Sequence, residues 1–299
     1  MIDNSILSLF PLAELTVEFI YLIRKDRMTH LASKIFGTKE PSLTQLHRLT
    51  AQVYSSLTLP FRCKMDGEET DMRKFITNFK PFPRLSFLSV SHLPFINECK
   101  NSFNERDSES SVVVKRLLKG GNSLSHDPSE DYHSIALSGY SLFRCNITPP
   151  KSSTIRLMKD SLSSLTEVVG TQEDTHTHTA DNTTNKIPPR LRVLPGVPNC
   201  IRHRFSPILP PPLLSEDPHH NNRTNDNSDN NVICGATLTR NSDAFIPYMH
   251  AKLKHFDQGR RSVCFGTSEE EVDSALADVW DILGEYQRVC RPGAEELPT

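Results

Sequence analysis

The sequence predicts an α/β (α+β) fold, a mixed sheet with flanking helices that is followed by a C-terminal helical hairpin. Short apolar runs of strand length alternate with segments whose apolar residues recur every three or four positions. Strands and helices intermix without a strict repeat, which is typical of mixed sheets. The chain ends in two consecutive helical patterns. Its 299 residues allow one large domain or two small ones.

Three amphipathic helices are expected in the first eighty residues. Leu12–Arg24 has apolar residues at helical spacing. A second helix begins near Pro41 and should end at Pro60, because proline lacks the backbone donor and clashes with the preceding turn. Asp71 can cap a third, short helix that stops at Pro81.

The middle of the chain contains several expected strands and one long helix. Leu85–Val90 and Tyr132–Arg144 have the composition of strands, and Leu191–Val193 and Cys200–Phe205 are expected to be short strands. Apolar residues of Ser152–Val169 recur at three and four positions, so a helix is predicted there.

Three further elements complete the pattern. Val112–Lys119 is a short helix or strand that a Gly-Gly pair closes. Asp243–Phe256 places its large apolar residues on one helical face. The last helix opens with a capping box at Ser268, whose first-turn acids suit the helix dipole, and its apolar stripe runs to Cys290.

Polar, low-complexity segments interrupt these elements. Residues 97–111, 171–186 and 217–231 have few apolar side chains to bury, so they are expected to be disordered insertions in loops. The expected domain division is a first domain over residues 1–240 and a helical hairpin over 241–299.

Composition argues against several functional classes. The net charge is −2, so there is no overall basic field to attract nucleic acid or an anionic membrane. The most apolar N-terminal stretch, Leu12–Ile23, is too short and too charged to span a bilayer. The 7 cysteines are scattered singly, which fits reduced thiols in a soluble cytosolic protein better than disulfides or a zinc site.

Two pairs of histidines are further candidates for metal ligands. His176 and His178, with His219 and His220, lie in flexible polar runs that provide no fixed geometry. No metal site is therefore expected.

Several motifs occur in an order that resembles one protein family. PSLTQLHRL (Pro41–Leu49) resembles a helix that enters through Pro-Ser/Thr, and NFKPFPR (Asn78–Arg84) resembles an Asn-x-x-Pro-Phe-Pro-Arg strand entry. Together with the following segments, these motifs resemble the second half of a tubulin, its intermediate and C-terminal domains: Asp3-Asn4, Asp127–Arg144, Ile147–Val169, Leu194–Phe205, Val232–Phe245 and Trp280–Val289.

This resemblance implies a GTP-binding parent protein whose nucleotide-binding N-terminal half is absent from this chain. No Gly-rich phosphate loop occurs in the sequence. In the family an Asn touches the guanine base, and Asn4 matches it, although Asn4 could instead cap a first turn. Leu43 replaces the family's stacking Tyr, and His47 replaces a second Asn. The alternative for His47 is an exposed helix residue that binds nothing. GTP binding is thus expected for the parent and doubtful for this chain alone.

The same resemblance bears on catalysis. In the family, a Glu on this half completes GTP hydrolysis at the nucleotide of the neighbouring subunit. Lys74 replaces that Glu, and Asp71 is the only nearby acid that matches, as a weak candidate for hydrolysis in trans. The chain alone is expected to be catalytically silent, with GTPase activity only if a missing N-terminal half is present.

Three functions remain open from the sequence. The first is a structural constituent of microtubules, centrioles or basal bodies, with other tubulin chains and microtubule- or centriole-associated proteins as partners. The second is a stand-alone, tubulin-derived interaction module that neither binds nucleotide nor polymerises, and the third is a GTPase. The lengthened stretch between Leu9 and Lys39 resembles epsilon-tubulin. The expected location is the cytoplasm and cytoskeleton, including the centrosome. Nucleic acid and membrane are not expected partners.

Overall fold

A computed structural model of the chain shows a sheet with helices on both faces, so the fold belongs to the predicted α/β class. The mixture of parallel and antiparallel strands is consistent with a fold like the tubulin intermediate domain. The structure describes these residues: 18–64, 71–82, 84–94, 110–118, 120–127, 134–145, 156, 160, 163, 166–168, 191–194, 201–208, 210–211, 234–259 and 269–291.

Within these ranges, seven strands form one sheet. Its order is β1-β2-β7-β3-β5-β4. Strand β6 lies outside this path and pairs with the part of β3 that β5 does not cover. The pairs of β7 with β2 and with β3 are antiparallel, and the remaining pairs are parallel. The strands are β1 (Ile20–Leu22), β2 (Phe87–Leu93), β3 (Ile135–Cys145), β4 (Thr166–Val168), β5 (Leu191–Val193), β6 (Ile201–Ser206) and β7 (Cys234–Ser242).

Helices cover both faces of this sheet. Successive side chains of a strand point to opposite faces. In β2, Phe87 and Leu93 pack with the clusters of α4, α5 and α6, whereas Leu88 and Val90 pack with those of α1, α2 and α3. The bounds are α1 (Lys25–Phe36), α2 (Leu43–Arg62), α3 (Met72–Phe79), α4 (Ser110–Leu118), α5 (Ile246–Gly259) and α6 (Glu269–Cys290).

The predicted helix Leu12–Arg24 is wrong over its last part. Residues 20–22 form β1, which pairs in parallel with the edge of β2, and the Ile20 N–H donates to the Ser86 carbonyl at 2.8 Å. Backbone pairing with a strand distant in sequence therefore overrides the local helical spacing. The next helix, α1, was not predicted, and residues 12–17 lie outside the described residues.

The second predicted helix is confirmed, but it does not end at Pro60. Helix α2 continues to Arg62, and the Cys63 N–H still donates to the Leu59 carbonyl at 3.1 Å. Only the bond that Pro60 itself would donate is lost, so the last turn persists. The expected apolar stripe is buried from Leu49 onward, whereas Leu43, at the first position, is 67% exposed.

The middle region differs from the prediction in two places. Residues 156, 160 and 163 are helical, as expected for Ser152–Val169, but Thr166–Val168 is strand β4 because it pairs with β5. The predicted insertion 97–111 overlaps α4, which begins at Ser110. The rest of that insertion lies outside the described residues, as do 171–186 and 217–231.

Several other elements agree with the sequence prediction in type, although some of them begin at a different residue. The predicted short helix capped by Asp71 is α3, and the uncertain segment Val112–Lys119 belongs to helix α4. Strand β2 starts at Phe87 rather than at Leu85. A 3₁₀ turn over Asp243–Phe245 precedes α5 where the helix was expected to start directly.

The last two helices pack antiparallel to each other, as a helical hairpin requires. The rings of Phe245 and Tyr286 lie 5.0 Å apart, and those of His250 and Trp280 lie 4.8 Å apart. The start of α5 thus contacts the end of α6. Their shared apolar face, with Leu253 and neighbouring residues, packs on β2 and β3.

Buried hydrogen bonds fix α6 to the sheet. Tyr286 is 0% exposed, and its hydroxyl accepts the Phe87 N–H at 2.9 Å and donates to the Asn241 Oδ1 at 2.9 Å. The Asn241 amide in turn donates to the carbonyls of Phe79 and Leu85, at 2.9 and 2.7 Å. One tyrosine and one asparagine therefore connect α6, β2, β7 and the end of α3.

Replacing Tyr286 by Phe should lower the free energy of unfolding by about 1–3 kcal/mol. The substitution removes the hydroxyl, so the buried Phe87 N–H and the Asn241 side chain each lose a hydrogen-bond partner. The measurement is urea unfolding at neutral pH. Tyr54→Phe is the matched control, since Tyr54 is 54% exposed and its loss of a hydroxyl should cost less than about 0.5 kcal/mol. Equal effects of the two substitutions would contradict the assigned role of Tyr286.

Candidate functional site

The two guanine-side positions that the structure describes lie at the start of α2. Ser42 and Gln45 form a capping box, in which the Ser42 N–H donates to the Gln45 side chain at 2.8 Å. This box fixes where the helix begins. Leu43 and His47 are one helical turn apart on the exposed side of α2, and Asn4 lies outside the described residues.

The chemistry at this end of α2 does not fit a guanine nucleotide on its own. Leu43 has no π-system on which a purine could stack. His47 provides one exposed imidazole. A nucleotide site also needs several backbone or cationic donors for phosphates, and neither Leu43 nor His47 supplies a set of such donors.

The second predicted position is the start of α3. The Asp71 carboxylate accepts the Arg73 N–H at 2.9 Å, so it acts as the N-cap of this helix. Lys74 follows in the first turn and is exposed. A lysine ammonium can neutralise an anion, but unlike a carboxylate it cannot accept a proton from water. Asp71 retains that capacity, with one of its carboxylate oxygens engaged in capping.

The structure does not bring these two predicted positions together. Helix α3 packs against the C-terminal end of α2, where the rings of Phe61 and Phe75 lie 4.8 Å apart. Leu43 lies at the other end of α2. Its distance from Phe61 along the helix axis is about 27 Å, for a helical rise of roughly 1.5 Å per residue. Leu43 and His47 therefore face a different part of the surface from Asp71 and Lys74.

A buried polar group that the sequence analysis missed lies between α2 and the sheet. Arg144 of β3 is 2% exposed, and its Nε donates to the Ile208 carbonyl at 2.8 Å. Its Nη1 donates to the hydroxyls of Ser55 and Ser56, each at 3.1 Å. Burial, and next the charge of Arg62, lowers the pKa of Arg144 to about 10.

His92 of β2 is a second buried polar residue on the same face of the sheet. Its Nδ1 lies 2.9 Å from the Thr237 hydroxyl, and its Nε2 has no hydrogen-bond partner among the residues that the structure describes. Burial, together with the nearby Arg144 charge, lowers the pKa of His92 from 6.5 to about 3. The alternation of β2 could have indicated this burial, because residue 92 shares a face with Leu88 and Val90.

The described part of the chain contains neither a cluster of metal ligands nor a helix suited to crossing a membrane. No group of three or more His, Cys, Asp or Glu side chains in those ranges is arranged to hold a metal ion. None of the helices seen there combines the length and apolar character needed to cross a bilayer. The four histidines considered as ligands in the sequence lie outside the described residues.

The mixed sheet, the helical layers on both of its faces and the terminal hairpin are consistent with a fold like the tubulin intermediate domain, and sequence comparison points to the same family. The chain is similar to the tubulin alpha-1B chain of Physarum polycephalum, with 36% identity over 104 residues, which are 34% of this chain and 22% of that protein. It is also 28% identical over 147 residues to the tubulin alpha-1 chain of Pelvetia fastigiata, covering 49% and 31%.

A third relative gives the same result. The tubulin alpha-3 chain of Saccharomyces cerevisiae is 29% identical over 111 residues, 37% of this chain and 24% of the relative. No family model matches the chain. These similarities support tubulin-family membership, and the matched stretch spans about a quarter of the relatives' length.

The lowered pKa of His92 predicts a specific dependence of stability on pH. Folded His92 stays neutral above about pH 3, whereas in the unfolded chain it binds a proton below about pH 6.5. The unfolded state therefore binds more protons in this window, and stability falls as the pH decreases through it. Between pH 8 and pH 5 the contribution of His92 to this loss should be about 2 kcal/mol.

Urea unfolding of the wild type and of His92→Leu at several pH values measures this contribution. As the pH decreases from 8 to 5, the free energy of unfolding of the wild type should fall by about 2 kcal/mol more than that of the variant. Comparing differences removes the titration of all other groups. Parallel curves for the two proteins would show that His92 is not held neutral.

Proposed function

We propose that this chain is a divergent tubulin-like structural protein that contributes to microtubules, or to centrioles and basal bodies, by docking on other tubulin chains. The observation that carries the proposal is the similarity to tubulin alpha chains together with the tubulin-like sheet and terminal hairpin. We expect the protein in the cytoplasm and cytoskeleton, with microtubule- or centriole-associated proteins as further partners.

The surface at the start and end of α3 is the docking site that we propose. Arg73, Lys74 and Arg84 are exposed there, and Arg84 forms an ion pair with Glu285 of α6 at 2.6 Å. The cations that remain for a partner are Arg73 and Lys74. Two exposed apolar side chains accompany them, Met72 at 49% and Phe82 at 37%. Apolar groups surrounded by cations suit a partner face that is acidic or that carries bound phosphates.

This docking surface favours contact without catalysis. Lys74 stands where the family resemblance implies a Glu beside the nucleotide of a neighbouring subunit, and we propose that its ammonium pairs with negative charge there. It cannot accept a proton from an attacking water, and Asp71 is engaged as a helix cap. We therefore propose that GTP belongs to the partner chain and to full-length family members. The residues described here do not fit a nucleotide site of their own.

The second candidate is a stand-alone tubulin-derived interaction module, and the observation that favours it is the loss of the stacking aromatic ring at Leu43. The lengthened N-terminal segment bears on the first candidate. Strand β1 and helix α1 lie in the segment that is longer than in the alpha and beta chains of the family. Strand β1 pairs with the edge of β2, and Arg24 donates to Asp127 at 2.9 Å, which attaches this segment to the rest of the fold. The lengthened segment is the feature that favours an epsilon-like, centriolar role.

Reversal of one charge tests the docking surface. Lys74→Glu should weaken binding of the purified chain to GTP-loaded tubulin dimers about tenfold at low ionic strength, because repulsion replaces attraction at the contact. Biolayer interferometry with immobilised tubulin provides the dissociation constants. Lys254→Glu is the matched control, since Lys254 is an exposed lysine of α5 on the opposite side of the sheet.

Two outcomes count against the proposal. If the wild-type chain binds no tubulin, the chain does not act by docking on tubulin, and only a module for other partners remains. If Lys74→Glu and Lys254→Glu weaken binding equally, a general charge effect explains the result and α3 is not the docking site.

A further inference from the structure

Two arginines converge on one serine of α2 at the edge of the buried polar group. The Nη1 of Arg144 lies 3.1 Å from the Ser55 hydroxyl. The Nη2 of Arg62 lies 3.5 Å from the same hydroxyl and donates to the Ser55 carbonyl at 3.0 Å. One cation comes from the sheet and the other from the last turn of the helix, so the fold itself brings two like charges together.

Within the described ranges, the charges of Arg62 and Arg144 have no carboxylate partner. The charge of Arg62 contributes to the lowered pKa of Arg144, which records their mutual repulsion. Two guanidinium groups that repel each other, one of them buried, create a positive potential that an anion would relieve.

We propose that Arg62, Arg144 and Ser55 form a binding site for a small oxyanion of phosphate size. The donors needed for such a ligand are in place. The Ser55 hydroxyl accepts from both arginines, and its own proton is used in none of the described contacts. Ser56 adds a second hydroxyl on the Arg144 side. Guanidinium groups bind the oxygens of phosphate through paired, charge-assisted hydrogen bonds.

The site is accessible from solvent. Arg62 is exposed and Ser55 is half-buried, while Arg144 lies beneath them and is held by the Ile208 carbonyl. Arg62 is further oriented by its bond from Nε to the Thr58 hydroxyl at 3.0 Å. A ligand can thus reach Arg62 and Ser55 from solvent, while Arg144, which is 2% exposed, contributes its charge from beneath them. The oxyanion can be free phosphate or the phosphoryl group of a small metabolite, since both present the same oxygens.

The test is calorimetric titration of the full chain with inorganic phosphate and, separately, with glycerol phosphate, at constant ionic strength. We expect saturable binding with one site. Arg62→Gln should weaken it at least about tenfold, the usual loss when a charge-assisted hydrogen bond is removed. Arg288→Gln, which changes an exposed arginine of α6, should leave it unchanged. Equal affinity for both ligands indicates a phosphoryl site, and preference for inorganic phosphate indicates a site for the free ion.

Thermal unfolding supplies a second readout that separates binding from the general stabilising effect of phosphate. Exclusion of phosphate from the protein surface raises the melting temperature of every variant alike. Specific binding adds a saturable increase that Arg62→Gln should lack. Because Arg62 is exposed, this variant should fold even if Arg144→Gln does not. Absence of saturable binding, or equal binding by wild type and Arg62→Gln, would overturn the proposal.

Discussion

The buried hydroxyl of Tyr286 is the contact on which the arrangement of helices and sheet depends. It joins α6 to the β2 backbone and to Asn241 of β7, and Asn241 continues the network to the carbonyls of Phe79 and Leu85. A buried polar group costs free energy unless every partner is present. Displacement of the hairpin would break these hydrogen bonds, so the network favours the observed position where apolar packing alone would tolerate small shifts.

The two faces of the sheet serve different purposes once the hairpin is fixed. On one face, α4, α5 and α6 complete the larger apolar core. On the other face, α2 and α3 cover the sheet and present the charged ends that we assign to binding. Arg144 combines the two properties, because it is anchored in the sheet and meets Arg62 at the surface of α2. The proposed docking surface and the proposed anion site both depend on this layer.

The sequence predicted the elements whose signal is local. The apolar stripe of α6 includes Tyr286, so its burial follows from periodicity, and Asp71 was identified as a helix cap. Motif order predicted the tubulin-like fold. Strand β1 could not be found in the same way, since three residues take their conformation from pairing with Phe87–Ser89. The convergence of Arg62 and Arg144 was equally hidden, because it depends on how α2 crosses the sheet.

Native-state hydrogen exchange of the whole chain tests most directly whether the hairpin and the sheet form one unit. Exchange through global unfolding gives the same free energy for every amide of a cooperative unit. The account predicts equal opening free energies for core amides of α6, such as that of Leu283, and of β7, such as that of Leu238. Exchange of the α6 amides through an opening that is several kcal/mol easier would contradict it, since the hairpin would then detach from an intact sheet.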